Sequence, residues 1–477
     1  MSYYSFQSIP QLHLDLHNKI VSCKALVTQY LSTIKSTSHL NIFIEVWEEE
    51  ALQRAIEIDT KIAHNETLGK LFGVIVSIKD ILAYKNHKVS AASKILEDFV
   101  SPYSSTVVQS LLDEDAILIG RVNCDEFAMG SGNENSIYGA CKNPHNELKV
   151  CGGSSGGSAA SVSANNCMIS LGSDTGGSVR QPADFCGVYG IKPTYGSISR
   201  YGLIAYGSSL DQIGVLTHNL QDLELVLSVI SKKEEQDSTQ LKNPIPFQAK
   251  KKDKIAIAYF KDIYNYPALD KEIKDANLSL INSLENDSNY IVQGVTTKFL
   301  EMIVPCYYIL ASAEASSNLS RYDGIRYNSK KEGFSSDLSW EETITKTRTE
   351  GFGKEVKRRI IMGSYVLSSG YYDAYFKKAQ KIRQMLLDEI THFFSEFDFI
   401  ILPNSPTVAW DIGNKKTDPT AEYLMDIFTV YANLVGCPAI SVPKFKHSTG
   451  LPFGIQILTS WYNEKKLINF VEKIQLL

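Results

Sequence analysis

Two blocks rich in glycine and serine constrain this chain more than any other feature. Residues 151–160 read CGGSSGGSAA and residues 173–183 read SDTGGSVRQPA, and seventeen of the thirty glycines lie from 120 to 214. A flexible Gly/Ser linker repeats monotonously, whereas here the residues between the blocks predict a small-residue helix at 159–164 and a buried strand at 167–171. Glycine is used where the backbone takes positive φ or approaches a ligand closely. The blocks therefore predict a site, not a linker.

The blocks do not form a phosphate-binding loop of the P-loop type. That loop needs a lysine directly after its last glycine, and Gly157 is followed by Ser158. Nucleophilic serine chemistry remains as the class of function that the blocks favour.

Two serines are candidates for the nucleophile. Ser154 fits the pattern G-x-S-x-G of a strand-to-helix elbow, which needs a distant histidine as base, and the histidines that follow it, at 218, 392 and 447, do not lie in site-like stretches. Ser178 follows Thr175, Gly176 and Gly177, whose backbone N–H groups can converge on one oxyanion. We favour Ser178 as the nucleophile.

The blocks resemble the signature of the amidase signature family. Within it, residues 187–196 (GVYGIKPTYG) and 208–214 (SSLDQIG) resemble the A subunits of glutamine-dependent tRNA amidotransferases. The resemblance implies an α/β fold, with a central mixed twisted sheet covered by helices on both faces. We expect a single domain over 1–477, with a helical section at 1–67, the signature core at 68–230, a surface insertion at 231–254 and the rest of the sheet and pocket at 255–477.

Composition and cysteine usage bound the class of protein. With 44% hydrophobic and 21% charged residues, the chain can bury a large core. Its net charge of −5 does not indicate a basic surface that would bind nucleic acid. Eight scattered cysteines without a C-x-x-C pair indicate reduced thiols and no metal site. Without a signal peptide or an apolar membrane span, the expected location is the cytoplasm, or an organelle matrix if a presequence has been removed.

Lys79 ends an apolar run at 71–80 that is typical of a strand buried on both faces. From the residues alone, it either reaches solvent or Asp80, or loses hydration and acquires a lower pKa that suits a base. The family resemblance makes Lys79 the general base of a Ser–cisSer–Lys triad. In that triad Ser154 follows a cis peptide bond and relays the proton, Ser178 attacks, and Thr175, Gly176 and Gly177 form the oxyanion hole.

The resemblance also implies a glutamine pocket. Its members would be Met129, Gly130 and Ser131 along one loop, Tyr308 on a helix, Arg358 for the α-carboxylate and Asp426 for the α-ammonium group. On sequence alone Arg358 and Arg359 equally fit a solvated helix face. An arginine and an aspartate at one cleft would select a zwitterionic amino acid over a plain amide, since arginine is a planar two-pronged donor.

The partners are implied by the resemblance alone. They are a B subunit that uses ATP and Mg²⁺ and holds most of the misacylated tRNA, and a C subunit that wraps the pair, so that the heterotrimer converts Glu-tRNA(Gln) to Gln-tRNA(Gln). This chain itself would need no cofactor, metal or membrane. Two alternatives stay open: a standalone amidase acting on a small organic amide, and an inactive scaffold. Whether Glu-tRNA(Gln), Asp-tRNA(Asn) or both are amidated also stays open.

Overall fold

The fold is built on one sheet of eleven strands. The computed structural model describes residues 4–241, 243–247, 253–327, 338–414 and 423–475. The strands are β1 Phe43–Val46, β2 Ile75–Lys79, β3 Ile117–Val122, β4 Lys142–Asn143, β5 Asn146–Val150, β6 Ile169–Asp174, β7 Tyr189–Lys192, β8 Gln212–Thr217, β9 Ile255–Phe260, β10 Tyr290–Val295, β11 Phe399–Pro403, β12 Ala439–Lys446 and β13 Pro452–Thr459.

Helices flank this sheet. They are α1 Ile9–His17, α2 Cys23–Ser36, α3 Glu48–Ala63, α4 Thr106–Asp113, α5 Gly156–Ser163, α6 Arg180–Cys186, α7 Leu220–Ile230, α8 Lys271–Asn286, α9 Leu300–Asn318, α10 Trp340–Gly351, α11 Lys354–Leu367, α12 Phe376–Glu396, α13 Val430–Val435 and α14 Glu464–Gln475. In the described ranges, no helix is both long and apolar enough to span a bilayer.

The sheet is mixed and draws strands from both halves of the chain. Its order is β1-β3-β2-β6-β8-β7-β12-β13-β11-β9-β10, while β4 and β5 form a separate ribbon. The strands β3, β2 and β6 are mutually parallel, as are β11, β9 and β10, and the strands between these two groups pair antiparallel. Strands from before and after the predicted insertion at 231–254 thus share one sheet.

Alternating side chains divide the core between the two faces of the sheet, as the period of two in a strand requires. Ile401 belongs to an apolar cluster with the N-terminal helices and α14, whereas its neighbours Ile400 and Leu402 belong to a cluster with α9, α12 and α13. This arrangement confirms the predicted α/β class with helices flanking a central mixed sheet.

Parallel pairing of β2 with β6 creates the edge that carries the candidate site. All five residues of β2 and all six of β6 are buried, and Ile78 pairs with Leu171. The carboxyl ends of parallel strands lie at the same edge, so Lys79 at the end of β2 comes next to residues 172–174. The predicted strands at 71–80 and 167–171 and the predicted helix at 159–164 are confirmed with shifted bounds.

Several other predicted elements are also found. The predicted helical section at 1–67 contains α1, α2 and α3, and it also contributes the strand β1. The predicted insertion at 231–254 falls partly outside the described residues, at 242 and 248–252. The domain count and section boundaries stay predictions. All eight cysteines are free and buried.

Candidate active site

Lys79 lies among serine hydroxyl groups in the interior. Its Nζ donates to Ser154 Oγ at 2.7 Å, Ser155 Oγ at 2.9 Å and Ser173 Oγ at 3.0 Å, and its side chain has no exposed surface. Burial lowers the pKa of Lys79 to about 8, against the opposing effect of nearby acidic groups, including Asp125 and Asp174. A neutral amine has a lone pair, so Nζ can accept a proton from one of these hydroxyl groups.

The loop before α5 places Ser154 directly on Lys79. The peptide bond between Gly153 and Ser154 is cis, as the family resemblance implies. The Ser154 carbonyl accepts from the N–H of Asp125 at 3.2 Å, and the carboxylate of Asp125 accepts from the N–H groups of residues 133–135. Asp125 thereby fixes the backbone that carries Ser154.

Ser178 lies at the end of the second glycine block, just before α6. Its carbonyl accepts from the N–H of Ser155 at 3.0 Å, so the two blocks are joined next to Lys79. Ser178 keeps 9% of its surface exposed, whereas Ser154 and Ser155 have none. Of these three serines, Ser178 is therefore the one that a substrate can reach from outside.

A buried ion pair supports the loop between β6 and α6. Arg180 donates to Asp174 through Nε at 3.0 Å and Nη2 at 2.9 Å, and both side chains are fully buried. Burial alone would raise the pKa of Asp174, but Arg180 holds it well below its usual range. Asp174 also accepts from the N–H of Gly177 at 2.9 Å. That N–H is engaged in the structure, so the predicted oxyanion hole depends more heavily on Thr175, Gly176 and Ser178.

Close packing surrounds the glycines of this loop. A Cβ atom on Gly176 would lie 2.5 Å from the ring and hydroxyl of Tyr307, and one on Gly177, whose φ is +122°, would lie 2.2 Å from Thr429 Oγ1. The Thr175 hydroxyl donates to Asp211 at 2.7 Å. The loop is therefore fixed by its side-chain neighbours, which suits a group of preorganised N–H donors.

Three residues of the predicted pocket meet at one carboxylate. Asp426 accepts from Ser131 Oγ at 2.9 Å and from Tyr308 Oη at 2.7 Å. These residues come from the loop after β3, from α9 and from the turn before α13. Burial raises the pKa of Asp426 to about 6, which leaves it ionised at neutral pH. As a residue Asp426 is half-buried, and its ionised carboxylate can accept from an ammonium group.

Arg359 of α11 lies near this carboxylate, and Arg358 precedes it on the same helix. Arg359 is buried, and its guanidinium carbon is 5.1 Å from the centre of the Tyr308 ring. Arg358 pairs with Glu355, and its side chain keeps 36% of its surface exposed. Only Arg358 was predicted as a pocket residue from sequence. The structure places its buried neighbour against Tyr308, and Arg359 also helps to keep Asp426 ionised.

One buried carboxyl group joins the pocket loop to α11. Glu126 accepts from the N–H of Gly353 at 2.9 Å and 3.0 Å and from the Ser93 hydroxyl. Burial raises the pKa of Glu126 to about 7. The loop that contains Met129, Gly130 and Ser131 is thus tied to the helix that carries both arginines.

Comparison with known proteins assigns the family. A family model described as Amidase matches residues 25–468, which is most of the chain. The chain belongs to the amidase family. In this member of the family, the glycine-rich blocks lie beside a buried lysine, and a cis peptide bond precedes Ser154.

Individual relatives of this amidase are similar over nearly their full length. The A subunit of the glutamyl-tRNA(Gln) amidotransferase of Chlorobium phaeobacteroides (strain BS1) is 44% identical over 476 residues, covering 98% of each chain. The protein of the same name from Legionella pneumophila (strain Paris) is 44% identical over 474 residues, covering 98% of this chain and 96% of that one. The crystal structure of the corresponding protein from Thermotoga maritima superposes with a TM-score of 0.76 at 36% identity, covering 97% of this chain and 92% of that one.

Several residues that complete the site of this amidase were not predicted from sequence. Ser155 and Ser173 share Lys79 with Ser154, and Asp125 supports Ser154 through its backbone. Ser173 directly precedes Asp174 at the end of β6, so pairing β2 with β6 in the parallel sense would have placed it beside Lys79. Glu355 carried no sequence signal beyond its helical spacing from Arg358 and Arg359.

Proposed function

We propose that this chain is the glutaminase subunit of a tRNA-dependent amidotransferase. The observation that carries the proposal is the Asp426 carboxylate, which accepts from Ser131 and Tyr308 and lies near Arg359. Arg358 precedes Arg359 on the same helix, and the same sheet and helices also position the Lys79–Ser154 pair. An amidase for simple amides has no need of paired opposite charges in its pocket. A free amino acid does, because its α-ammonium and α-carboxylate groups both lose water on binding and must be paired.

The proposed reaction begins with proton transfer towards Lys79. Neutral Lys79 accepts the proton of the Ser154 hydroxyl, and Ser154 accepts that of Ser178. Ser178 Oγ then attacks the γ-carboxamide carbon of glutamine and forms a tetrahedral intermediate. Backbone N–H groups of residues 175–178 stabilise the oxyanion, and the engagement of Gly177 by Asp174 limits how many of them contribute directly.

Collapse of the intermediate releases ammonia. The proton held at Lys79 returns through Ser154 to the departing nitrogen, and the γ-glutamyl group stays on Ser178 as an ester. Water, deprotonated through the same relay, attacks this ester. The bond to Ser178 Oγ breaks, and the proton held at Lys79 returns through Ser154 to that oxygen, which yields glutamate and free Ser178. The lowered pKa of Lys79 supports both roles, because the amine can hold and release the proton near neutral pH.

The acceptor chemistry belongs to the partners in this proposal. The relatives from Chlorobium, Legionella and Thermotoga are each named as the A subunit of a glutamyl-tRNA(Gln) amidotransferase, a name that indicates other subunits. We infer a B subunit that uses ATP and Mg²⁺ to activate glutamyl-tRNA and a C subunit that completes a heterotrimer. The expected cytoplasmic location is part of the same proposal.

Replacing the nucleophile tests the chemistry. In Ser178→Ala, glutamine hydrolysis measured as glutamate release should fall by about 10⁴-fold or more, the usual loss when a triad nucleophile is removed. Ser228→Ala, on the exposed face of α7, is the matched control and should keep full activity. Near-normal turnover in Ser178→Ala would instead support Ser154 as an elbow nucleophile.

Substrate choice separates the proposal from a standalone amidase. Glutamine should be hydrolysed far faster than butyramide, which has neither charged group. Co-purification with B and C subunits and amidation of Glu-tRNA(Gln) in the presence of ATP should follow. Equal rates for the two amides, with no stimulation by partners, would favour the standalone enzyme.

A further inference from the structure

Glu355 joins the positively charged residues on one side of the pocket, and the proposed reaction gives it no role. Its Oε1 accepts from Arg359 Nε at 2.8 Å and from Tyr423 Oη at 3.0 Å, and its Oε2 accepts from Arg358 Nη1. Its side chain is only 10% exposed. One carboxylate therefore collects donors from two arginines on its own helix and from a tyrosine of the segment that carries Asp426.

Arg359 is fixed by contacts on all sides. Its guanidinium lies 5.1–5.6 Å from the ring centres of Tyr206, Tyr308 and Tyr423, and Nη1 donates to the Tyr206 hydroxyl. A guanidinium that is buried this deeply is tolerated when it is paired, and Glu355 supplies the pairing charge. Arg359 thus supports the aromatic residues of the pocket.

Arg358 is placed differently from Arg359. It lies one residue earlier on α11, keeps about a third of its side-chain surface exposed and meets Glu355 through Nη1. The contact with Glu355 restrains one end of the Arg358 guanidinium and so limits where its other donors can point, which favours two-pronged binding of a carboxylate. Glu355 therefore sets the direction in which Arg358 presents its donors.

The other end of the network reaches the acidic side of the pocket. The Tyr423 ring stacks on the Tyr308 ring with centres 3.9 Å apart, and Tyr308 donates to Asp426. A glutamine side chain at position 355 would keep an oxygen that can accept from Tyr423. It would lose the charge that holds the arginines, so Glu355→Gln disturbs the cationic side more than the acidic side.

We propose that Glu355 is a positioning residue that makes the enzyme selective for amides bearing an α-carboxylate, by holding Arg358 where that carboxylate arrives. The proposal rests on the proposed function, because it takes glutamine as the substrate. Glu355 itself touches neither substrate nor reacting atoms. Its effect should appear in binding of the carboxylate and not in the acyl transfer step.

Three amides separate these effects in the purified enzyme with its accompanying subunits. They are glutamine, 4-aminobutanamide, which lacks the α-carboxylate, and glutaric acid monoamide, which lacks the α-amine. In Glu355→Gln we expect the KM for glutamine to rise about 10-fold with kcat within about threefold of wild type, the size of effect that losing one charge-assisted hydrogen bond produces. The KM for glutaric acid monoamide should rise by the same factor, and the KM for 4-aminobutanamide should change little.

Two further variants, Glu350→Gln and Glu355→Asp, serve as controls for Glu355→Gln. Glu350→Gln, on an exposed position of α10, removes the same charge nearby and should behave as wild type. Glu355→Asp, which restores the charge on a shorter side chain, should recover part of the selectivity. If Glu355→Gln does not fold, Glu355→Asp should show the same selective loss in weaker form.

Two results would overturn the role of Glu355: an equal loss for all three amides, which indicates general structural support, or unchanged selectivity in every folded variant. Wild-type enzyme that hydrolyses 4-aminobutanamide as well as glutamine would instead sink the glutaminase proposal itself. The two failures are therefore distinguishable.

Discussion

Lys79 and Arg180 both have fully buried side chains with basic groups, yet their surroundings differ in kind. Arg180 forms two hydrogen bonds to the Asp174 carboxylate and others to Asn433 and the Thr429 carbonyl. Lys79 donates to three neutral serine hydroxyls, and in the part of the chain that the structure describes no carboxylate lies within ion-pair distance of it.

The difference shows that pairing with an opposite charge distinguishes a buried charge with a structural role from one with a reactive role. A paired and hydrogen-bonded charge stays ionised and supports the fold, as Arg180 supports the loop of residues 174–180. Burial among neutral groups destabilises the ionised form of a basic side chain. Its pKa therefore moves towards neutrality, as that of Lys79 does. Perturbed groups of the second kind are candidates for catalysis.

The largest expected effect tests the reactive cation. Lys79→Met should lower kcat for glutamine by about 10³–10⁴-fold while the protein stays folded, because a general base contributes this much and the removed amine has no ionic partner. Turnover and circular dichroism measure the two effects. A loss of folding with residual activity per folded molecule would assign Lys79 to structure.

Lys192 offers a matched control for Lys79. It is as deeply buried, burial likewise lowers its pKa to about 8, and its Nζ donates to the Pro193 carbonyl at 2.8 Å. Lys192→Met should keep kcat within about threefold of wild type, since Lys192 makes no hydrogen bond to Ser154, Ser155 or Ser173 and a low pKa alone supplies no base catalysis. Equal losses in both variants would mean that burial, and not the serine contacts, decides the outcome.

Replacing Arg180 should mainly lower the stability of the fold, whereas replacing Lys79 should mainly lower kcat. Arg180→Met leaves the Asp174 carboxylate buried and unpaired, so the free energy of unfolding should fall by about 3–5 kcal/mol. Denaturant titration measures this change. Lys271→Ala, which breaks the exposed pair with Asp275, should cost at most about 1 kcal/mol. Similar values for the two variants would contradict the structural role of Arg180.

Asp426 is an intermediate case, since it is paired with two hydroxyl groups and lies near Arg359. Asp426→Asn should raise the KM for glutamine by about 10- to 100-fold, because hydrogen bonds to charged groups contribute about 1.5–3 kcal/mol. The KM for 4-aminobutanamide should rise as well, while glutaric acid monoamide, which lacks the amine, should be affected least. A uniform loss of kcat would show that Asp426 acts on the reaction and not on binding.

The last prediction concerns the dependence of activity on pH. The base must be neutral, so kcat/KM should rise about tenfold per pH unit below the Lys79 pKa of about 8 and level off above it. Below about pH 6 the Asp426 carboxylate also takes up a proton, which steepens the fall. Asp174 stays ionised throughout. A profile that is flat between about pH 6.5 and 9 would exclude Lys79 as the titrating base.

Much of the fold could be predicted from sequence because its signals are local. The apolar run at 71–80 correctly predicted β2, and the small residues at 159–164 correctly predicted α5, with bounds shifted by a few residues. The prediction that the peptide bond before Ser154 is cis is also confirmed, although it came from the family resemblance and not from local pattern.

Contacts that join distant parts of the chain could not be predicted in this way. The approach of Ser131 and Tyr308 to Asp426 was implied only by resemblance, since nothing in their local sequence indicates a shared partner. Glu355 and Arg359 were missed because a charged helix face has the same sequence pattern in solvent and in a pocket. The engagement of the Gly177 N–H by Asp174 likewise appears only in three dimensions.

Glu126 and Gly353 are 227 positions apart, yet a single carboxyl group joins them. A Cβ atom at position 353 would lie 2.2 Å from a Glu126 carboxyl oxygen, so the start of α11 and the loop after β3 are in close contact. An insertion in either segment would have to be matched by a change in the other. Efforts to redesign this enzyme for longer amides should therefore vary both segments jointly.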